Sequence, residues 1–126
     1  VSDGTRTPRQ LSGDAAEDAA LALLQSNGLR LVQRNYRARR GEIDLVMQDG
    51  EVLVYVEVRF RSDDGHGDGL DSVSASKRSR LINAARQYAQ EHPPVARMAQ
   101  RFDVVALGAG GLRWVRNAIQ VNQGAW

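Results

Sequence analysis

Glu42, Asp44 and Glu57 stand inside runs of Ile, Leu and Val, where acidic residues are seldom placed. Two such runs, residues 41–48 and 51–59, flank Asp49-Gly50. Carboxylates held close together repel. A hard divalent cation such as Mg²⁺ or Mn²⁺ relieves that repulsion by taking their oxygens. The plainer alternative is an edge ribbon whose outer face is solvated. Spacing alone leaves both open.

The element that must position these acids reads as a β-hairpin. Asp49-Gly50 is a strong tight-turn signal, because Gly accepts a positive φ. With those two residues as the turn, Gln48 pairs with Glu51, Val46 with Leu53, Asp44 with Tyr55 and Glu42 with Glu57. Side chains alternate with a period of two. One face then carries Ile43, Leu45, Met47, Val52, Val54, Val56 and Val58, and must look into a core. The other carries Glu42, Asp44, Val46, Leu53, Tyr55, Glu57 and Arg59. Asp44 and Glu57 become diagonal neighbours, within about 5–8 Å at Cβ.

Gly41-Glu42-Ile43-Asp44-Leu45, followed by Val56-Glu57-Val58-Arg59-Phe60-Arg61, resembles the signature of the bacterial YraN (UPF0102) family. The resemblance continues through the Glu17 helix, Arg34-Asn35-Tyr36-Arg37, the segment around Lys77 and Arg101-Phe102-Asp103-Val104-Val105. It leaves out the N-terminal lead-in and the tail after Arg116. That family is similar to archaeal Holliday-junction resolvases and belongs with the PD-(D/E)xK restriction-endonuclease-like nucleases. The resemblance implies a metal-dependent endonuclease acting on DNA, with branched DNA as substrate and a homodimer as the working form. It also implies Mg²⁺ or Mn²⁺ held by Asp44, Glu57, the Val58 carbonyl and Glu17, directly or through water. One position departs from the family pattern, where Glu-x-Lys is usual and this chain has Glu57-Val58-Arg59. A buried lysine can shed its proton and help activate water, whereas an arginine does not. Arg59 is suited to stabilising charge and is a poor general base.

At 126 residues the chain is expected to form one domain with a core of its own. With no cysteine, disulfide frameworks and zinc–thiolate sites are excluded. No apolar run approaches the roughly 18 residues of a membrane span, and no signal-peptide apolar region opens the sequence. A cytoplasmic protein is the default expectation. The net charge of +2 does not by itself imply nucleic acid. Of the 17 basic residues all but Lys77 are Arg, which suits bidentate phosphate contacts and equally suits a compositional bias of the genome.

Residues 1–12 read as a flexible lead-in, trimmed or processed at Val1, residues 13–116 as the domain and residues 117–126 as a polar tail. A helix is expected from Asp14 to Ser26, stopped by Gly28. Asp14 and Glu17 fit a capping-box-like pair. Alternatively Glu17, on a stripe with Ala20, Leu21 and Leu24, faces the sheet near the acids. A first strand spans Leu29 to Tyr36. Arg37, Arg39 and Arg40 then form a basic turn, a solvated loop or a hold on backbone phosphate. Arg61 and Arg78 are further candidate phosphate contacts. Residues 62–71, rich in Asp and Gly and containing His66, read as a loop that closes over substrate rather than a calcium repeat, which requires stacked copies. A second helix runs from Ser74 or Ala75 to Gln90, before Pro93-Pro94. Its stripe of Leu81, Ala84, Ala85 and Tyr88 extends back to Lys77, a snorkelling lysine or one that reaches the site and compensates for Arg59. His92 reads as structural. Residues 101–107 and 112–116 form a second hairpin in which Asp103 is a structural acid or the partner of an Arg.

The fold expected is α/β, a restriction-endonuclease-like core with a central mixed sheet of about five strands flanked by helices. The function expected is endonucleolytic hydrolysis of DNA. A second reading is a nuclease-like module that binds nucleic acid or a protein without cutting, and a third is a structural assembly domain.

Overall fold

The structure, a computed structural model, describes residues 8–60 and 75–119. The chain runs α1 (Pro8–Ser26), β1 (Arg30–Ala38), β2 (Gly41–Asp49), β3 (Val52–Phe60), α2 (Ala75–Glu91), a 3-10 turn (Pro93–Arg97), β4 (Ala99–Gly108) and β5 (Gly111–Val115). The five strands form one mixed sheet in sequence order. Only β3 and β4 pair in parallel; the other neighbours are antiparallel. A parallel pair needs a long crossover, and α2 lies on it.

The two helices bury opposite faces of the sheet. Ala16, Ala20 and Leu24 recur every four residues along α1 and are buried. Ala20 and Leu24 meet Leu45, Met47, Val54, Val56 and Val105. On α2, Leu81, Ala84, Ala85 and Tyr88 are the buried stripe that the periodicity predicts. They pack on Val46, Leu53, Tyr55, Phe102 and Val104. Tyr88 sits edge-on to Tyr36 and Tyr55, at centroid distances of 5.0 and 6.2 Å. The sheet is therefore covered on both sides, which explains why its central strands are apolar on both faces.

Several expectations shift. The first helix begins at Pro8, six residues before Asp14, so Asp14 is an exposed interior position rather than the helix N-cap. Proline suits the first helical turn because its missing N–H has no partner there anyway. At the other end Ile119 is buried, and the Ala118 N–H donates to the Phe102 carbonyl at 2.8 Å, so the packed structure passes residue 116. Asp49 pairs with Val52, which makes Gly50-Glu51 the hairpin turn, with Gly50 at φ 61°. Val46 thus faces Tyr55 rather than Leu53. A two-residue slip keeps every side chain on its face, so the assignment of faces survives the wrong register.

Ile43 is the exception. It joins the core under α2, whereas Leu45 joins the core under α1. Its partner strand makes the same switch: Arg34, opposite Leu45, bonds to α1, and Tyr36, opposite Ile43, packs under α2. Between them Asn35 takes a φ of 52°, a left-handed conformation that breaks regular alternation. His92 is structural as expected, stacked on Tyr88 with Nδ1 2.8 Å from the Tyr88 carbonyl oxygen. Asp103 is fully buried and accepts from Arg101, Trp114 Nε1 and the Asn117 N–H, joining β4, β5 and the segment that follows. His66, Arg61, the Asp/Gly-rich stretch and Trp126 lie outside the described residues.

Candidate functional site

The ladder between β2 and β3 ends at Leu45 and Val56, although both strands continue, β2 against β1 and β3 against β4. The next residues on each side of that split are Asp44 and Glu57. The Asp44 Oδ2 accepts the Val58 N–H at 2.8 Å, so a side chain satisfies a donor at the split. Burial pushes the Asp44 carboxyl up to about 7, the neighbouring Glu57 charge adds to it, and the Val58 hydrogen bond opposes the rise. Glu17 and Glu42 raise it further. Burial also raises the Glu57 carboxyl, against the pull of Arg59 and then Lys77. Two carboxylates with raised affinity for protons thus stand side by side, one fixed by a backbone N–H.

Arg59 lies on β3 two residues beyond Glu57, on the same face. Its Nη1 is 3.7 Å from Glu57 Oε2, and the two side chains are 13% and 20% exposed. Lys77 is half-buried in the first turn of α2. Glu57 and Lys77 line a cavity of about 590 Å³ with Arg37, Arg39, Arg40, Arg80 and Glu42. Asp44 opens instead into a small adjoining recess with Asn35 and Ile43, and Arg37 and Glu42 border both spaces. Two contacts hold the basic turn in place. Gln87 Oε1 accepts the Arg39 N–H at 3.1 Å. Gly41 packs so closely under α2 that a Cβ there would overlap the Arg80 carbonyl.

The structure therefore brings together Asp44, Glu57, Arg59, Lys77, Arg37, Arg39 and Arg40. Glu17 is near enough to act on Asp44 through space, but its carboxylate is committed elsewhere. Oε1 accepts from Arg34 Nη2 at 2.7 Å, Arg34 Nε at 3.1 Å and Asn35 Nδ2 at 3.2 Å. Arg78 is exposed on α2 and is not among the described residues that line the cavity. Among the described residues, no group of three or more acidic, His or Cys side chains converges as ligands for one ion. Arg80 also lines the cavity and was not among the residues singled out from the sequence; its place one turn beyond Lys77 was the available signal. Arg34 and Asn35 also gain a role, as the partners that hold Glu17.

Fold and site define an α/β/α sandwich with an acidic pair where two central strands part, beside a cleft rimmed with cations. The model of the family described as "Uncharacterised protein family UPF0102" matches residues 16–107, and the chain belongs to that family. Its relatives include a UPF0102 protein of Herminiimonas arsenicoxydans, 50% identical over 117 residues, covering 91% of each chain. A UPF0102 protein of Halorhodospira halophila is 47% identical over 116 residues, covering 92% of this chain and 93% of its own. Among solved structures, Pyrococcus furiosus SfsA in complex with Ca²⁺ aligns with a TM-score of 0.34 and 13% identity. That alignment spans 90% of this chain and 65% of the other, a likeness too low to argue from. No helix among the described residues is long and apolar enough to cross a membrane.

Proposed function

We propose that this chain is a Mg²⁺- or Mn²⁺-dependent endonuclease that hydrolyses DNA phosphodiesters. The observation that carries this reading is the buried Asp44–Glu57 pair beside a cavity rimmed by Arg37, Arg39, Arg40, Lys77 and Arg80. The donors fit a hard cation. Burial and mutual repulsion disfavour two ionised carboxylates here, and a divalent ion supplies the charge that lets both ionise. Asp44 and Glu57 would hold it, with the Val58 carbonyl completing the protein's share. Mg²⁺ commonly takes only one or two carboxylates and fills its shell with water and phosphate oxygens. When bound, the cation supplies a Lewis acid for the phosphoryl group and acidifies water at the site.

The remaining work falls to the chain. The Val58 N–H orients the Asp44 carboxylate. Arg37, Arg39, Arg40 and Arg80 hold backbone phosphates and set the scissile one against the acidic pair. A water oxygen attacks phosphorus and releases a proton to solvent, one P–O ester bond breaks, and the departing oxygen takes a proton from solvent and leaves as an alcohol. Arg59 and Lys77 stabilise the negative charge that develops on the phosphoryl oxygens. Glu17 acts through Arg34 and Asn35 as a positioning residue. The likeness to junction resolvases extends the reading to branched DNA and a two-fold homodimer, whose two sites suit two opposing cuts.

A second reading rests on Arg59, which occupies the usual lysine position and pairs with Glu57. In that reading the module binds nucleic acid without cutting it. One experiment separates them: cleavage of linear, flapped and four-way-junction DNA with Mg²⁺ or Mn²⁺, by wild type, Asp44→Ala and Arg59→Lys, with chelator controls. Metal-dependent cutting that Asp44→Ala abolishes is the expected result. Salt-sensitive binding with no cutting by wild type or Arg59→Lys would establish the second reading instead.

A further inference from the structure

A second cavity, of about 570 Å³, opens more than two helical turns along α2 from Lys77. Arg86, Ala89 and Gln90 of α2, Ala96 and Met98 around the 3-10 turn, and Gln100 at the start of β4 line it. Its size falls within the range of small-molecule sites. Gln100 is already occupied, since its Oε1 accepts the Tyr55 hydroxyl at 2.7 Å and its Nε2 donates to the Val95 carbonyl at 3.0 Å. Arg86 differs. Its Nε is buried and finds no hydrogen-bond acceptor among the described residues. A buried donor left unmet costs free energy comparable to a lost hydrogen bond, and such groups in native proteins call for an explanation.

We propose that this cavity is a binding site for a carboxylate carried on an apolar body, with Arg86 as its anchor. Arg86 lines the cavity, and its planar guanidinium fork matches a carboxylate in a bidentate geometry. Ala89, Ala96 and Met98 provide an apolar wall, with Met98 able to adapt to shape. Arg86 is the only charged residue among the described lining, so the site suits a single negative charge rather than a string of phosphates. The carboxylate belongs either to a free small acid or to the C-terminus of a peptide. This inference does not depend on the nuclease reading, since it shares no residue with the acidic pair or its cleft.

The test is titration of the full ¹⁵N-labelled chain with hexanoate, with hexanol as the uncharged control. A hydrophobic tetrapeptide with a free C-terminus is compared with its amidated form. Hexanoate is expected to shift the amide signals of residues 86–90 and 96–100, with little change around Glu57 and Lys77. Arg86→Gln is expected to weaken that binding about tenfold or more, the loss of one charge-assisted pair. Arg86→Lys keeps the charge but not the fork, and retains part of the affinity. Tighter binding of the free-ended tetrapeptide than of hexanoate assigns the site to peptide ends; the reverse assigns it to small acids. Equal shifts with hexanol, or unchanged affinity in a folded Arg86→Gln variant, would overturn the proposal. So would the absence of any shift with both acids.

Discussion

Asp44 gives up its proton in the folded chain at about 7, against 3.8 for the ordinary group, so its ionisation works against the fold. A carboxyl whose folded value is raised contributes stability that is fully present below its unfolded pKa and is lost as pH rises through the folded value. With divalent cations chelated, wild type is expected to lose stability between about pH 4 and pH 7 relative to Asp44→Asn, by at most about 4 kcal/mol. Mg²⁺ is expected to reverse that loss in wild type and to leave Asp44→Asn unmoved, as thermal melts at each pH will read. Glu17 behaves otherwise. Because its carboxylate is held by Arg34, Glu17→Gln is expected to cost about 1 kcal/mol or less in a partly exposed pair. It should change Mg²⁺ affinity far less than Asp44→Ala does, as calorimetric titration will show. The acids at Asp44 and Glu57 were legible because they break strand preferences. The commitment of Glu17 was not, since neither periodicity nor composition reveals that Asn35 turns back against it.

At the scale of elements, α2 and the β4–β5 hairpin could be read almost residue by residue, because each is written in local periodicity bounded by Pro or Gly. The β2–β3 turn lies one residue further on than expected, which slips the register by two, since Gly50 satisfies either placement and both placements send the same side chains inward. The face switch at Ile43 lay beyond the pattern, as it belongs to two strands at once. Gly41 is where elements meet most tightly. Gly41→Ala is expected to push α2 off the basic turn, costing about 1–3 kcal/mol in chemical denaturation, the range for overpacking a close contact. It should also reduce DNA affinity while leaving Asp44 and Glu57 untouched. Normal stability and affinity in that variant would show that the contact relaxes without consequence.

For the whole molecule, a modest net charge of +2 conceals a polar arrangement, with cations gathered at the end of the sheet where β2 and β3 part. Neutralising phosphates releases counterions, so binding should fall steeply with salt. Removing Arg37, Arg39 or Arg40 singly is expected to lower the slope of log affinity against log salt by about 1 each. Arg78→Ala should leave it nearly unchanged. Equal effects at all four positions would show that the phosphate contacts extend beyond the cleft onto the outer face of α2.

The parallel pairing of β3 with β4 also sets an order of assembly. The β1–β2–β3 meander closes through short turns, whereas α2 is fixed only when the chain has crossed back and β4 has docked. Contacts distant in sequence form late because loop closure must be overcome first. Asp44 and Glu57 therefore come together early in folding, and Lys77 and Arg80 reach them last. A chain that folds in this order holds its acidic pair and the Arg37, Arg39 and Arg40 turn before Lys77 and Arg80 arrive, and the proposed DNA cleft is complete only once β4 has docked.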